Sequence, residues 1–295
     1  MTEPIQPTDE SANGAGRVGI VSDSSCDLPD DLLAIWGIEM VPLSIRFGDE
    51  EFVDREQLST DEFWARCAKS PVLPSTAAPS PGRFEQAYRA LASRGSTNIV
   101  AVTISSALSA TFQSAELAAK NVAADGINVT VVDSRTVTLG LGTIVLACAE
   151  AAADGADQTA VIALAADLVA STRVFGALDT MENLKKGGRV GNAKALLATA
   201  LAIKPIIAVE NGVVEQYGRQ RTRSKAIKFL VEKVAGAKGH MEHLAVLHAD
   251  CSDVDEFVAQ LRPYFVGDIV VGQIGPVVGA HAGRGTIGVA YHETP

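Results

Sequence analysis

Residues 98–115 constrain the fold of this chain more than any other stretch. An apolar, β-branched run to Ile104 stops in hydroxyl residues, Ser105-Ser106-Ala107-Leu108-Ser109-Ala110-Thr111, and an alanine-rich helical pattern follows at once. A strand, a hydroxyl-rich turn and a helix N-terminus in succession make a β–turn–α unit. Unpaired backbone N–H groups and the positive end of the helix dipole converge there, which suits an anion. The glycine-cradle spacing of a P-loop and its Lys are absent, so a carboxylate or a single phosphate fits better than a nucleoside triphosphate. The alternative is that Ser109 or Thr111 only caps the helix.

Alternation of this kind runs through the whole first half. Strand patterns fall at 17–22, 38–47, 98–104 and 127–132. Helical patterns fall at 29–36 with Asp27 as a cap, at 60–69 behind the capping box Ser59-Thr60-Asp61-Glu62, at 81–94 with Pro81 at N1, from about 110, and at 137–153 and 158–170. Residues 70–80 read as a loop rich in Pro, Ser and Ala. The pattern predicts a three-layer α/β/α domain with a mostly parallel sheet, in which ligands bind where strands end and helices begin. The second half changes character. Strands at 206–209 and 213–217 flank the turn Asn211-Gly212 as a hairpin. Further strands near 172–178, 243–249 and 268–275 are separated by helices at 192–202, 222–236 and 253–262, which predicts an α+β domain with a mixed, antiparallel sheet. The expected division is a disordered tail at 1–16, an N-terminal domain at 17–160 and a C-terminal domain at 161–295.

A length of 295 residues is consistent with two domains, and only 5% of them are aromatic, so cores and pockets are aliphatic. The net charge of −10 excludes the basic footprint of a nucleic-acid binder. Four cysteines without a C-x-x-C pair fit reduced thiols. The polar start of the chain has no apolar h-region, and the uncharged stretch at 136–149 is too short to span a bilayer. The expected location is the cytoplasm, with at most transient membrane contact.

Several segments carry groups able to do chemistry. Asp23 at the end of the first strand either holds a metal or acts as a nucleophile, although Ser25 stands where aspartyl-phosphate enzymes want a second Asp, or forms with Ser24 a turn that bonds backbone amides; nothing nearby activates Cys26 as a nucleophile. In 74–81 prolines stiffen the loop around Thr76, which presents that hydroxyl rigidly or marks an ordinary loop. Leu184-Lys185-Lys186-Gly187-Gly188-Arg189 offers close backbone approach beside an Arg suited to a carboxylate, or else a helix C-cap. The basic run from Arg219 to Lys225 is a solvated helix start or a dock for an acidic partner. His281 sits among glycines in 275–285, where it can turn outward and donate to an anion. His240, His243 and His248 lack metal-ligand spacing, so no metal and no cofactor are expected.

Taken together, the motifs resemble the DegV family of bacterial fatty-acid-binding proteins. The resemblance runs from about Val18 to Tyr291. It rests on D-S-S-x-D-L-P, the V-P-L strand, T-x-x-P-S-P, S-S-x-L-S-x-T-x-Q-S-A, the V-D-S strand end, L-K-K-G-G-R, I-K-P-I, R-T and the final H-x-G-x-G. It implies two α/β domains with a lipid tunnel at their junction, holding one long-chain fatty acid. By motif, the carboxylate binders are Thr76, Ser109 and His281, with Ser106 and Arg189 as neighbours. Members of the FakB type present the acid to a separate fatty acid kinase that makes an acyl phosphate, and Arg221 in the R-T motif would help dock it. Ala77, Ala78, Ala110 and Arg284 depart from the family pattern. A non-catalytic lipid carrier is the leading expectation; an acyl- or phosphoryl-transfer enzyme and a sensor of a small anionic metabolite are the competitors.

Overall fold

The computed structural model describes residues 16–193 and 203–294. The tail expected at 1–16 and the helix expected at 192–202 lie almost wholly outside them. β1 (Gly19–Asp23) is buried along its length and leads into α1 (Asp30–Trp36). Asp27 does not cap α1; Pro29 stands at that N-cap, and the Asp27 carboxylate turns inward instead. The strand expected at 38–47 is two strands in different sheets, β2 (Glu39–Val41) and β3 (Ser44–Phe47). Pro42 between them has no N–H with which to continue a ladder. β4 (Glu50–Val53) pairs with β3, and α2 (Thr60–Lys69) begins with the capping box of Ser59 and Glu62 in place. The segment expected to be loop contains β5 (Ser75–Ala77), which closes a small antiparallel sheet of order β4-β3-β5.

Next come α3 (Pro81–Ser93), β6 (Asn98–Thr103), α4 (Thr111–Val122) and β7 (Asn128–Asp133). β2-β1-β6-β7 is a parallel sheet, as expected. Its strands alternate sides with period 2. Ile99 and Ala101 face the core under α3 and α4, whereas Val100 and Val102 face the larger core at the centre of the molecule.

α5 (Leu139–Ala153) fills that centre and is buried on nearly every side, which its uniformly apolar sequence requires. It packs against β1 and β6 on one side and β8, β11 and β13 on the other. Two glycines allow this approach: β-carbons on Gly140 and Gly142 would lie 2.4 Å from Val174 Cγ2 and 2.5 Å from the Cys26 carbonyl oxygen. α6 (Gln158–Ser171), which contains residue 160, leads into the second sheet.

That sheet is built from β8 (Thr172–Ala177), β9 (Lys204–Glu210), β10 (Val213–Gln220), β11 (Met241–His248), β12 (Val270–Gln273) and β13 (Ile287–Glu293). Its order is β10-β9-β8-β13-β11-β12, antiparallel except between β11 and β12. The hairpin at Asn211-Gly212 forms as expected, and β13 is an additional central strand. α7 (Glu182–Lys186) follows β8, α8 (Arg223–Gly236) and α9 (Val254–Leu261) cover the outer face, and α10 (Pro276–Ala282) returns to the N-terminal half. Among the described residues no helix is long and apolar enough to cross a membrane, and no group of three or more His, Cys, Asp or Glu could hold a metal ion.

Candidate functional site

α10 carries His281, and a carboxylate buried at the other end of the molecule's sequence holds that helix in place. Asp27 Oδ1 accepts the N–H of Gly275, the α10 N-cap, at 3.0 Å, while Oδ2 accepts the Thr138 hydroxyl at the start of α5 at 2.6 Å. At the other end of α10, Asn183 Nδ2 donates to the Ala280 carbonyl at 3.1 Å. The imidazole is thereby set opposite Thr76 of β5, with Thr76 Oγ1 2.9 Å from His281 Nε2. Thr76 is itself fixed by pairing with Ile45 on β3.

The turn before α4 supplies Ser109. Its Oγ lies 2.8 Å from Thr111 Oγ1 and accepts the Thr111 N–H at 3.3 Å, so Ser109 supports the helix start and also borders the site. Arg189, just beyond α7, donates from Nε to the Leu108 carbonyl at 3.1 Å and from Nη1 to the Gly187 carbonyl at 2.8 Å. One guanidinium therefore joins the hydroxyl-rich turn of the N-terminal half to the glycine pair of the C-terminal half. Desolvation first, and the nearby Arg189 charge second, push His281 down to about 4, so its ring is neutral at neutral pH. Its Nδ1 is buried without a hydrogen-bond partner.

These four side chains border an apolar cavity of about 190 Å³. Aliphatic residues from both halves line it, among them Leu43, Ile104 and Val137 on one side and Ile207, Val214 and Val277 on the other. Thr76, Arg189 and His281 also line an outer, more polar cavity, shared with the loop 71–75, Asn183, Lys186 and Gly187. They stand at the boundary between an apolar interior and a wet vestibule.

Of the residues expected from sequence, Thr76, Ser109, His281 and Arg189 come together here. Ser106 does not: its hydroxyl and N–H both donate to Asp133 at the end of β7, which turns it away from the cavity. Arg221 is exposed in the turn between β10 and α8. Its neighbour Arg223 is bidentate to Asp253, at 2.7 and 2.8 Å, and donates to the Gly285 carbonyl in the loop after α10. Asp27 and Asn183, which fix α10, are placed only by the fold. Gly187 had a sequence signal, close backbone approach, without an indication that the approaching group is His281.

Fold and site define a two-domain α/β protein with an aliphatic cavity at the domain junction and a polar mouth. A family model described as uncharacterised protein, DegV family, matches residues 17–294. A DegV domain-containing protein of Mycobacterium tuberculosis is 37% identical over 278 residues, 92% of this chain and 96% of the relative. A fatty-acid-binding DegV family protein from Thermus thermophilus superposes with a TM-score of 0.86 at 32% identity, covering 94% of this chain and 99% of the other. A stearic-acid-binding protein from Eubacterium ventriosum does so with a TM-score of 0.84 at 25% identity, covering 94% and 98%. The chain belongs to the DegV family.

Proposed function

We propose that this protein is a carrier that binds one long-chain fatty acid in the junction cavity and presents its carboxylate to a separate fatty acid kinase. The observation that carries the reading is the junction itself: an aliphatic cavity whose mouth bears two hydroxyls, a neutral imidazole and one guanidinium. A saturated tail gains about 0.8 kcal/mol per buried methylene, on the order of 10 kcal/mol for a long chain before ordering costs. The carboxylate loses water at the mouth, which is costly unless charged or polar donors replace it. Thr76, Ser109, His281 and Arg189 supply those donors. The fatty acids bound by the Thermus and Eubacterium relatives support the same ligand class.

A carrier fits this geometry better than an acyl-transfer enzyme. Ser109 Oγ is engaged with Thr111, and His281 Nε2 is engaged with Thr76, so among the described residues no base is hydrogen-bonded to the serine. The vestibule beyond Thr76 and His281 leaves the head group within reach of a second protein, and the exposed Arg221 gives an acidic partner a place to dock.

The test is titration of delipidated protein with a long-chain fatty acid. Ser109→Ala and His281→Ala should each weaken binding about tenfold or more, as expected for losing a hydrogen bond to a charged group. Wild-type affinity in both variants would remove the head-group assignment.

A further inference from the structure

At the end of β8 and β9 remote from α7, a second cavity of about 570 Å³ adjoins the first. Its walls are polar: Arg135 and Thr136 before α5, Arg173 on β8, and Glu210 and Asn211 at the β9–β10 turn, with Val169 of α6. Val209 is the residue that lines both cavities. On β9, Ile206 and Ala208 face the outer core, whereas Ile207 and Val209 face the junction. The Val209 side chain packs in one cluster with Val137 on the apolar side and Val169 on the polar side. It pairs across the sheet with Val174, three residues short of Ala177 at the α7 end of β8, a distance of about 10 Å.

We infer that Val209 is the stop that sets the length of acyl chain this protein accepts, an inference that rests on the fatty-acid reading above. A tail advancing from the mouth gains affinity with each methylene it buries, about fourfold apiece. At Val209 that gain ends, because the next space is bordered by guanidinium groups and an exposed turn that favour water. The ligand class is therefore a fatty acid whose methyl end abuts Val209, and the wall discriminates by length.

Delipidated wild type, Val209→Ala and Val209→Phe should be titrated with saturated fatty acids of increasing length, with thermal melts to establish that each variant is folded. Val209→Leu replaces the Phe variant if that one does not fold. The preferred length should increase in Val209→Ala, by about fourfold in affinity for each methylene newly buried, and decrease in the bulkier variant. Variants that bind fatty acid with the wild-type ranking of lengths would overturn the assignment of Val209. A wild type that binds no fatty acid of any length would instead overturn the carrier reading.

Discussion

Gly187 leaves no room for a side chain beside His281: a β-carbon there would lie 2.2 Å from Nδ1 of the imidazole. Gly187 has φ −73°, a value open to every residue, so the glycine serves space and not backbone freedom. The imidazole in turn bonds to Thr76, one of the two hydroxyls at the mouth, and lies within the electrostatic reach of Arg189.

Gly187→Ala should therefore displace the ring without straining the backbone. Fatty-acid affinity is expected to fall about tenfold or more, the worth of a hydrogen bond to a charged group. The stability cost should stay within the ~1–3 kcal/mol typical of overpacking. Binding titrations and denaturant melts on the same preparation check both halves, and undiminished binding would separate Gly187 from the site.

Binding should also change the ionisation of His281. In the empty site burial and Arg189 hold it at about 4. A carboxylate beside it favours the imidazolium, so its titration midpoint should move up when the ligand binds. NMR of the labelled imidazole with and without fatty acid measures this, and an unmoved midpoint would place the head group elsewhere.

Asp27 gives a stability prediction with a defined sign. Burial pushes its carboxyl up to about 7, against about 3.9 in an unfolded chain. Between those values the folded protein holds a proton that the unfolded chain has released, so this contribution to stability is full below about 4 and is lost as the pH rises to about 7. Asp27→Asn keeps the shape and cannot ionise. Its stability relative to wild type should rise across that window in urea melts, and a constant difference would contradict the buried, protonated carboxyl. Asp27→Ala leaves the Gly275 N–H and the Thr138 hydroxyl without their acceptor, at a cost of about 1–3 kcal/mol for each buried group. It should also weaken binding, because α10 carries His281.

Arg221→Glu should leave fatty-acid affinity unchanged while slowing phosphorylation by a cognate kinase. The side chain is exposed and makes no hydrogen bond or ion pair among the described residues. Arg223→Glu should destabilise the protein instead, since Arg223 is bidentate to Asp253 and bonded to the Gly285 carbonyl. Equal phosphorylation rates for wild type and Arg221→Glu would return that residue to an ordinary solvated surface.

How far the sequence revealed the molecule depended on the range of each interaction. Local signals held: the Ser59–Glu62 capping box, Pro81 in the first turn of α3, and the Asn211-Gly212 hairpin are all determined within a few residues. The division of 38–47 at Pro42 and the pairing of β5 with β3 depend on a neighbouring sheet, which short windows do not contain. At the site, Thr76, Ser109, His281 and Arg189 stood out because hydroxyl, imidazole and guanidinium groups lay near turns and glycines. Ser106 has the same chemistry as Ser109 three residues away, and only the position of Asp133 at the end of the adjacent strand decides which serine borders the cavity. Asp27 looked like a local cap because its partner, Gly275, is 248 residues distant.

The most direct measurement is organic extraction of purified recombinant protein, with mass spectrometry and quantitation of what is released. One long-chain fatty acid per protein chain is the expected result, with much less recovered from His281→Ala. An empty protein that also takes up no added fatty acid would contradict the carrier reading and favour a small anionic ligand at the same mouth.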